Sequence, residues 1–264
     1  MSDRPAPWSE IAAWYDDLVT AGSGPHETAV GCLLRLVPEL AGLAVLDLAC
    51  GQGLATRALA QAGAAAVLGI DSAPGMIDRA RGYPAPTGVS YRVDDAERLS
   101  SCADASFDGV TCQLGLMDIG DLAAAVRAVA RVLRPAGWFV LVIGHPCFLA
   151  PGASTAEGPG GVPGRLITGY LGEGFWRSGN PHGIRGRAGN YHRTLSTYLN
   201  TLAGAGFVVA AVDEPRASAL LLAEQPVYEH LPIFLGLRAH LGERRRHELS
   251  APTAGDAGVP VYER

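Results

Sequence analysis

A carboxylate and two glycines lie where an apolar run gives way to a turn. The run Val45–Leu48 is apolar except for Asp47, and Gly51 and Gly53 follow it. Glycines at such a turn let the backbone approach a ligand closely, and the helix that follows presents its amides to that ligand. A second acid, Asp71, ends the next apolar run about 20 residues later, where a carboxylate can accept both ribose hydroxyls of an adenine nucleoside. The spacing therefore predicts a nucleoside-binding site.

The position of Asp47 predicts the charge of the ligand. A carboxylate inside the strand just before the turn would repel a pyrophosphate, and it would suit a cation such as S-adenosylmethionine (SAM). A dinucleotide-binding turn usually has a third glycine, but Thr56 stands at that position. A nicotinamide dehydrogenase is therefore the less favoured alternative, and it predicts tighter binding of NAD than of S-adenosylhomocysteine (SAH).

Two histidines are candidate catalytic residues. His145 follows the apolar run 138–143, and His192 precedes Thr194, which is predicted to cap a helix. Reacting groups in a parallel sheet gather beyond the carboxyl ends of the strands, and an imidazole there can serve as a base. Each histidine also has a structural alternative: His145 could hold a loop, and His192 could be a solvated residue before the helix. His182, in a glycine-rich segment, is a weaker candidate.

The order of apolar runs predicts the elements that carry these residues. Strands alternate with helical segments, which is typical of an α/β fold with a mostly parallel sheet and helices on both faces. The predicted strands are 43–48, 66–70, 89–93, 107–112, 138–143, 207–212 and 233–238. The predicted helices are 9–20, 25–37, 54–62, 75–81, 120–133 and 194–205. Residues 148–190 contain many Gly and Pro and are expected to form a long loop with some short helix.

Composition excludes several kinds of chemistry. The chain has 264 residues and a net charge of −5, and all of its 21 basic residues are arginine. Without lysine, neither a Schiff base nor a P-loop is expected, and the negative charge argues against nucleic acid as a partner. The five cysteines form no Cys-x-x-Cys pair, so no metal site is expected. No apolar run approaches the roughly 20 residues that span a bilayer, so we expect a cytoplasmic protein without membrane contact.

The motifs together resemble those of class I SAM-dependent methyltransferases, in particular the branch that acts on small molecules. The matching segments are Val45–Gly53, Gly69–Met76, Tyr91–Glu97, Gln113-Leu114 and Arg134–Gly137, with Trp14–Asp16 similar to an N-terminal lid. The resemblance implies SAM as the cofactor and a Rossmann-like seven-stranded sheet with helices on both faces. It also implies one domain over residues 1–264, with a helical cap over 1–40 and a substrate-lid insertion after strand five, over 148–192.

The resemblance also implies which residues contact the cofactor. Asp71 would bind the ribose, Met76 would pack on adenine, and Asp95 would meet the adenine amino group. Taken alone, Met76 could be a core residue and Asp95 a helix cap. The complete implied set is Tyr15, Asp47, Ala49, Gly51, Gly53, Asp71, Ser72, Met76, Asp95, Ala96, Gln113 and Leu114.

Two positions depart from the family pattern. Ala49 and Cys50 replace the commoner Gly-Cys or Gly-Thr before Gly51, although alanine still permits close approach. Asp118 stands where many members carry histidine, which leaves open whether this position contributes to catalysis.

The implied reaction is methyl transfer from SAM to O, N, S or C of a small molecule. The candidate contacts for the methyl acceptor are Met117, Phe148 and Trp176. The aromatic residues of the insertion would cover a compact, partly apolar molecule. The composition resembles that of bacterial enzymes that modify secondary metabolites, so a natural-product intermediate is the expected acceptor. Two alternatives remain: a cyclase or pericyclase that binds SAM without transferring methyl, and a non-enzymatic SAM-binding module.

Overall fold

The computed structural model describes residues 8–242, which contain eleven strands and eight α-helices. The strands are β1 (Ala44–Leu48), β2 (Ala66–Asp71), β3 (Val89–Val93), β4 (Phe107–Gln113), β5 (Leu133–Gly144), β6 (Ser154–Glu157), β7 (Pro163–Leu166), β8 (Gly174–Trp176), β9 (Asn190–His192), β10 (Phe207–Asp213) and β11 (Phe234–Leu241). The helices are α1 (Trp8–Thr20), α2 (Gly24–Leu36), α3 (Leu54–Gln61), α4 (Pro74–Gly82), α5 (Leu122–Val132), α6 (Ile184–Arg187), α7 (Leu195–Gly204) and α8 (Ala219–Glu224). None of these helices is long and apolar enough to cross a membrane. Residues 1–7 of the predicted cap and 243–264 of the predicted domain lie outside the described residues.

Seven strands form one central sheet in the order β10-β11-β5-β4-β1-β2-β3. The pairings among β1 to β5 are parallel, whereas β11 pairs antiparallel with both β5 and β10. This arrangement confirms the predicted Rossmann-like, mostly parallel seven-stranded sheet. Since β1, β2, β4 and β5 run in the same direction, their carboxyl ends meet at one edge, where ligands bind in open parallel sheets.

The central strands are buried on both faces, as parallel strands usually are. Successive residues of a strand point to opposite faces. In β5, Phe139 and Leu141 pack in the core layer that α5 and α7 cover, whereas Val140 and Val142 pack in the layer that α2 and α3 cover. The two core layers therefore hold the strands firmly, and with them the turns at the carboxyl edge.

The structure corrects the expected loop over residues 148–190. This segment contains an antiparallel hairpin of β6 and β7, and β8 pairs antiparallel with β9, in addition to the short helix α6. Each of these strands has only three or four residues, which is too short for an alternating pattern to stand out. The insertion therefore has regular structure of its own.

Helix α8 is a second element that the sequence patterns missed. It has six residues, and the hydroxyl of Ser218 caps it by accepting a hydrogen bond from the backbone amide of Leu221. So short a helix cannot show the periodicity of an amphipathic helix, although Ser218 before an apolar run was a usable signal.

Candidate functional site

A cavity of about 710 Å³ opens at the carboxyl edge of the sheet, between the strand ends, the N-terminal helices and the insertion. The predicted site residues that line it are Tyr15, Ala49, Gly51, Asp71, Ser72, Met76, Asp95, Ala96, Gln113, Leu114, Met117, His145, Trp176 and His192. Asp47 lines a smaller pocket that shares residues with this cavity. Gly53 and Phe148 line neither of the two. Motifs that are far apart in the sequence thus meet at one place.

Asp71 ties the glycine turn to the end of β2. Its Oδ2 accepts a hydrogen bond from the amide of Gly51 at 2.9 Å, and its Oδ1 accepts one from the amide of Ala73 at 2.9 Å. Burial raises the pKa of Asp71, and these two amides oppose that rise. Ala49 and Gly51 have φ of 53° and 54°, a left-handed conformation that is strained for alanine. The carboxylate therefore helps to hold a strained turn open towards the cavity.

Asp47 is a buried carboxylate whose partners are neutral. It accepts hydrogen bonds from the hydroxyls of Thr56 at 2.6 Å and Thr111 at 2.9 Å. No basic side chain among residues 8–242 forms an ion pair with it. Burial raises the pKa of Asp47 to about 6, although the two hydroxyls act in the opposite direction. A cation in the adjoining pocket would stabilise its ionised form.

Gln113, the last residue of β4, carries an unsatisfied acceptor. Its side-chain oxygen is buried and has no hydrogen-bond partner. The residue lines both the large cavity and the smaller pocket beside Asp47. Because a buried acceptor without a partner costs about 1–3 kcal/mol, a ligand that donates a hydrogen bond here would be favoured.

The N-terminal helices contribute Tyr15 and a histidine that the sequence patterns missed. The hydroxyl of Tyr15 lies 2.8 Å from Nε2 of His26, and Nδ1 of His26 lies 2.8 Å from the hydroxyl of Ser23. Burial lowers the pKa of His26 to about 4, so this ring is neutral at physiological pH. His26 follows Pro25 in the first turn of α2. Nothing about this position in the sequence indicated a hydrogen bond between His26 and Tyr15.

The two candidate catalytic histidines differ in their hydrogen bonds. In His145 both nitrogens are engaged: Nδ1 accepts from the amide of Cys147 at 3.2 Å, and Nε2 lies 2.8 Å from a carboxylate oxygen of Glu214. In His192, Nε2 lies 2.7 Å from the carbonyl oxygen of Tyr170. Since a carbonyl oxygen only accepts, Nε2 of His192 carries the proton and Nδ1 keeps a lone pair. The two rings therefore differ at Nδ1, which accepts a backbone hydrogen bond in His145 but none from a described residue in His192.

Two arginines fasten the insertion to the turn after β4. Arg185 lies with Nη1 2.7 Å from Oδ1 of Asp118 and Nη2 2.9 Å from the sulfur of Met117. Arg193 donates to three carbonyl oxygens of residues 116–120. Burial raises the pKa of Asp118 to about 6, although the charge of Arg185 lowers it. Neither arginine was predicted, because a glycine-rich segment offers no periodic pattern from which long-range partners can be read.

Known proteins resemble this chain most clearly in its first half. A family model described as a methyltransferase domain matches residues 46–141. The ubiquinone biosynthesis O-methyltransferase of Xanthomonas oryzae pv. oryzae is 43% identical over 101 residues, which are 38% of this chain and 42% of that enzyme. The enzyme of the same name from Paracidovorax citrulli is 37% identical over 139 residues, 50% of this chain and 58% of that enzyme. The chain thus spans about half the length of these curated relatives.

A solved structure extends the likeness over most of the chain. The crystal structure of an S-adenosylmethionine-dependent methyltransferase from Mesorhizobium loti aligns with a TM-score of 0.70 and 31% identity, covering 83% of this chain and 99% of that one. This chain belongs to the class I SAM-dependent methyltransferase family. The family and the cofactor predicted from the sequence are therefore confirmed.

The hydrogen-bond acceptors that line the pockets of this methyltransferase fit a cationic cofactor. The unpartnered oxygen of Gln113 and the buried carboxylate of Asp47 line one small pocket, and both can accept hydrogen bonds from an ammonium group. The carboxylates of Asp71 and Asp95 line the adjoining part of the large cavity. Strand-end residues thus supply acceptors and negative charge, which are the groups that SAM requires.

The affinity for SAH should rise with pH in this methyltransferase. The ionised form of Asp47 attracts the ammonium group of SAH, and its pKa is about 6. We expect the affinity to rise by roughly three- to tenfold between about pH 5 and about pH 7, with a proton released on binding at the lower pH. Calorimetric titration across this range measures it, and Asp47→Asn should flatten the rise. A decrease in affinity with rising pH would contradict the assignment of Asp47.

The ligand-free protein should show the opposite dependence in its stability. Because the pKa of Asp47 is raised by folding, the folded state binds more protons than the unfolded state between about pH 4 and about pH 6. This group therefore lowers the free energy of unfolding as the pH rises through that window.

Removing Arg185 should loosen the insertion and destabilise the fold. Arg185→Ala would leave the partly buried carboxylate of Asp118 without its cation. Since both side chains retain some exposure, we expect a loss of about 1–3 kcal/mol at neutral pH, less than for a fully buried pair. The deficit should shrink near pH 5, where Asp118 is protonated. Urea unfolding measures it, with Arg81→Ala as the control because Arg81 forms an exposed pair with Asp78. Equal effects of the two variants would contradict the account.

Proposed function

We propose that this protein transfers a methyl group from SAM to O, N, S or C of a compact small molecule. The observation that carries the proposal is the single cavity in which the cofactor motifs, His192 and the insertion meet. When bound, SAM supplies a methyl group on a positively charged sulfur, with a neutral leaving group. The protein then has mainly to align the acceptor and to keep water away.

The cofactor half of the cavity would hold SAM through groups of known position. Asp71 would accept the ribose hydroxyls, and Met76, which is buried against the lid helix α1, would support the adenine. Asp95 accepts a hydrogen bond from the amide of Glu97 through Oδ1, and its carboxylate would receive the adenine amino group. Tyr15, held by His26, would cover the cofactor from α1.

His192 would act as the base where the acceptor must lose a proton. Its Nε2 is fixed by the carbonyl of Tyr170, so Nδ1 is the atom that would take the proton. Glu173 lies close enough to His192 to interact with its charge. Burial raises the pKa of Glu173, but hydrogen bonds from Thr197 and Thr194 and the charge of His192 outweigh burial, so the pKa lies below its usual value.

The insertion, residues 148–192, would act as a lid over the acceptor. The family-model match ends at residue 141, before the insertion begins, and the O-methyltransferase relatives match only 38–50% of this chain, so their acceptor cannot be carried over. Their names nevertheless favour oxygen as the acceptor atom. The aromatic cover of Trp176 and Tyr191 in the cavity wall favours a partly apolar molecule, such as a natural-product intermediate.

Methyl transfer is tested by incubating the full chain with SAM labelled in its methyl carbon and a library of phenols, amines, thiols and activated methylenes. The proposal predicts a labelled product and an equal amount of SAH, and both should fall in Asp71→Ala when SAM is below saturation. A product that forms without label would instead support a cyclase or pericyclase. Tight SAH binding without turnover of any compound, including extracts of metabolites, would support a binding module.

A further inference from the structure

The charged side chains that line the cavity differ in sign according to the segment of the chain that supplies them. The strand ends and their turns supply carboxylates, and residues 148–193 supply guanidinium groups. The lining carboxylates are Asp71, Asp94, Asp95, Glu97 and Asp118, and the lining arginines of that segment are Arg165, Arg177, Arg185 and Arg193. Because SAM is a cation, it fits the carboxylates, and the arginines of residues 148–193 remain for the acceptor.

Three of these arginines hold the insertion in place. Arg185 pairs with Asp118, and Arg193 is buried among carbonyl oxygens. Arg177 donates to the carbonyl oxygens of residues 186 and 187. Their charges and donors serve the architecture of the lid.

Arg165, in β7, is half-buried, and its two hydrogen-bond partners among the described residues are neutral. Its Nε donates to the carbonyl of Phe148 at 2.8 Å, and its Nη1 lies 3.4 Å from the hydroxyl of Tyr228. Within residues 8–242, no carboxylate oxygen lies within 4.0 Å of its guanidinium nitrogens. A half-buried guanidinium with neutral partners attracts an anion, and its planar face can bind an oxyanion through two parallel hydrogen bonds.

A second donor of the insertion also lacks an acceptor. The indole N–H of Trp176 is buried without a hydrogen-bond partner, and Trp176 lines the same cavity. Asn190 stands directly opposite it in the β8–β9 pair and lines the cavity too, and the side-chain oxygen of Asn190 is likewise buried without a partner. A buried donor without an acceptor is unfavourable, so a ligand oxygen is expected beside this wall as well.

We propose that the acceptor molecule carries an oxyanion, a carboxylate or a phosphate, which Arg165 binds. This inference rests on the proposed function, because it assigns the acceptor side of the same cavity. The indole N–H of Trp176 supplies a neutral donor to another oxygen of the acceptor. The cavity thus binds a cationic cofactor and an anionic acceptor, and the opposite charges of the two ligands attract each other.

The test measures binding to the SAH-loaded full chain by calorimetry. The probes are matched pairs: salicylate and salicylamide, cinnamate and cinnamamide, and phenyl phosphate and phenol. Each pair is compared in the wild-type protein, in Arg165→Gln and in Arg127→Gln. Arg127 is an exposed residue of α5 outside the cavity, so its replacement removes the same charge without touching the site. SAH binding is measured separately in each variant.

We expect at least one anion to bind the wild-type protein at least about tenfold more tightly than its neutral partner, from hydrogen bonds to a charged group. The preference should fall to within about twofold in Arg165→Gln and should persist in Arg127→Gln. The carboxylate and phosphate pairs show which oxyanion is bound. SAH binding with no preference for any anion, or a preference that survives in Arg165→Gln, would overturn the inference. A wild-type protein that does not bind SAH would contradict the proposed function instead.

Discussion

Replacing His192 by alanine is expected to lower kcat by about 10²–10⁴-fold, the usual contribution of a general base. Nε2 of His192 donates its proton to the carbonyl oxygen of Tyr170, so the lone pair on Nδ1 would serve as the base. Removal of the ring removes that lone pair. The KM for SAM should change little, because the ring lies on the acceptor side of the cavity. Initial rates with an acceptor that must lose a proton measure the effect.

The control for this variant is His182→Ala, since His182 is an exposed histidine of the same insertion. It should leave kcat within about twofold, as most exposed substitutions do. His192→Gln separates chemistry from packing: it retains bulk and a hydrogen bond to Tyr170 but cannot act as a base. If His192→Gln keeps wild-type kcat and the wild-type pH–rate profile, His192 is a structural residue.

Replacing Asp71 by alanine is expected to weaken SAH binding by about 1–3 kcal/mol, which is roughly five- to 150-fold. Two effects add. The carboxylate that would accept the ribose hydroxyls is lost, and so are the hydrogen bonds that hold the amides of Gly51 and Ala73. The released turn can then relax from its left-handed conformation, which further disfavours binding.

Asp78→Ala is the matched control, because Asp78 is an exposed acid of the adjacent helix α4. Asp71→Asn should fall between the wild-type protein and Asp71→Ala, since the amide retains one acceptor oxygen. Calorimetry gives the affinities, and urea unfolding shows whether each variant is folded at the temperature used. Equal SAH affinity in Asp71→Ala and Asp78→Ala would remove Asp71 from the site.

The cofactor half of the site could be predicted from the sequence because its residues are local. Asp47, Gly51 and Gly53 lie within one strand–turn–helix unit, and Asp71 ends the next strand. A parallel sheet brings such strand ends to one edge, whatever the details of packing. Spacing and residue type were therefore enough to predict that these strand ends meet, whereas the contacts of their residues with SAM stay predictions.

The acceptor half depends on contacts that spacing does not reveal. Arg185 meets Asp118 across 67 residues, and Arg165 meets Tyr228 across 63. Both arginines lie in a segment whose short strands show no clear alternation. The hydrogen bonds that distinguish His145 from His192 are equally non-local, since Glu214 lies 69 residues beyond His145.

Thr56 has a structural role that its residue type did not indicate. In the sequence it indicated only that the third glycine of a dinucleotide turn was missing. In the structure its hydroxyl donates to the buried carboxylate of Asp47 at 2.6 Å. The residue that argues against NAD thus also helps to hold the acid that favours a cation.

A calorimetric comparison of SAH and NAD on the full chain at neutral pH tests most directly whether the cavity binds SAM rather than a dinucleotide. We expect SAH to bind at one site per chain and NAD to bind far more weakly than SAH. Asp71→Ala should weaken the affinity for SAH by at least about fivefold. Tighter binding of NAD than of SAH, or no binding of SAH at all, would contradict the account.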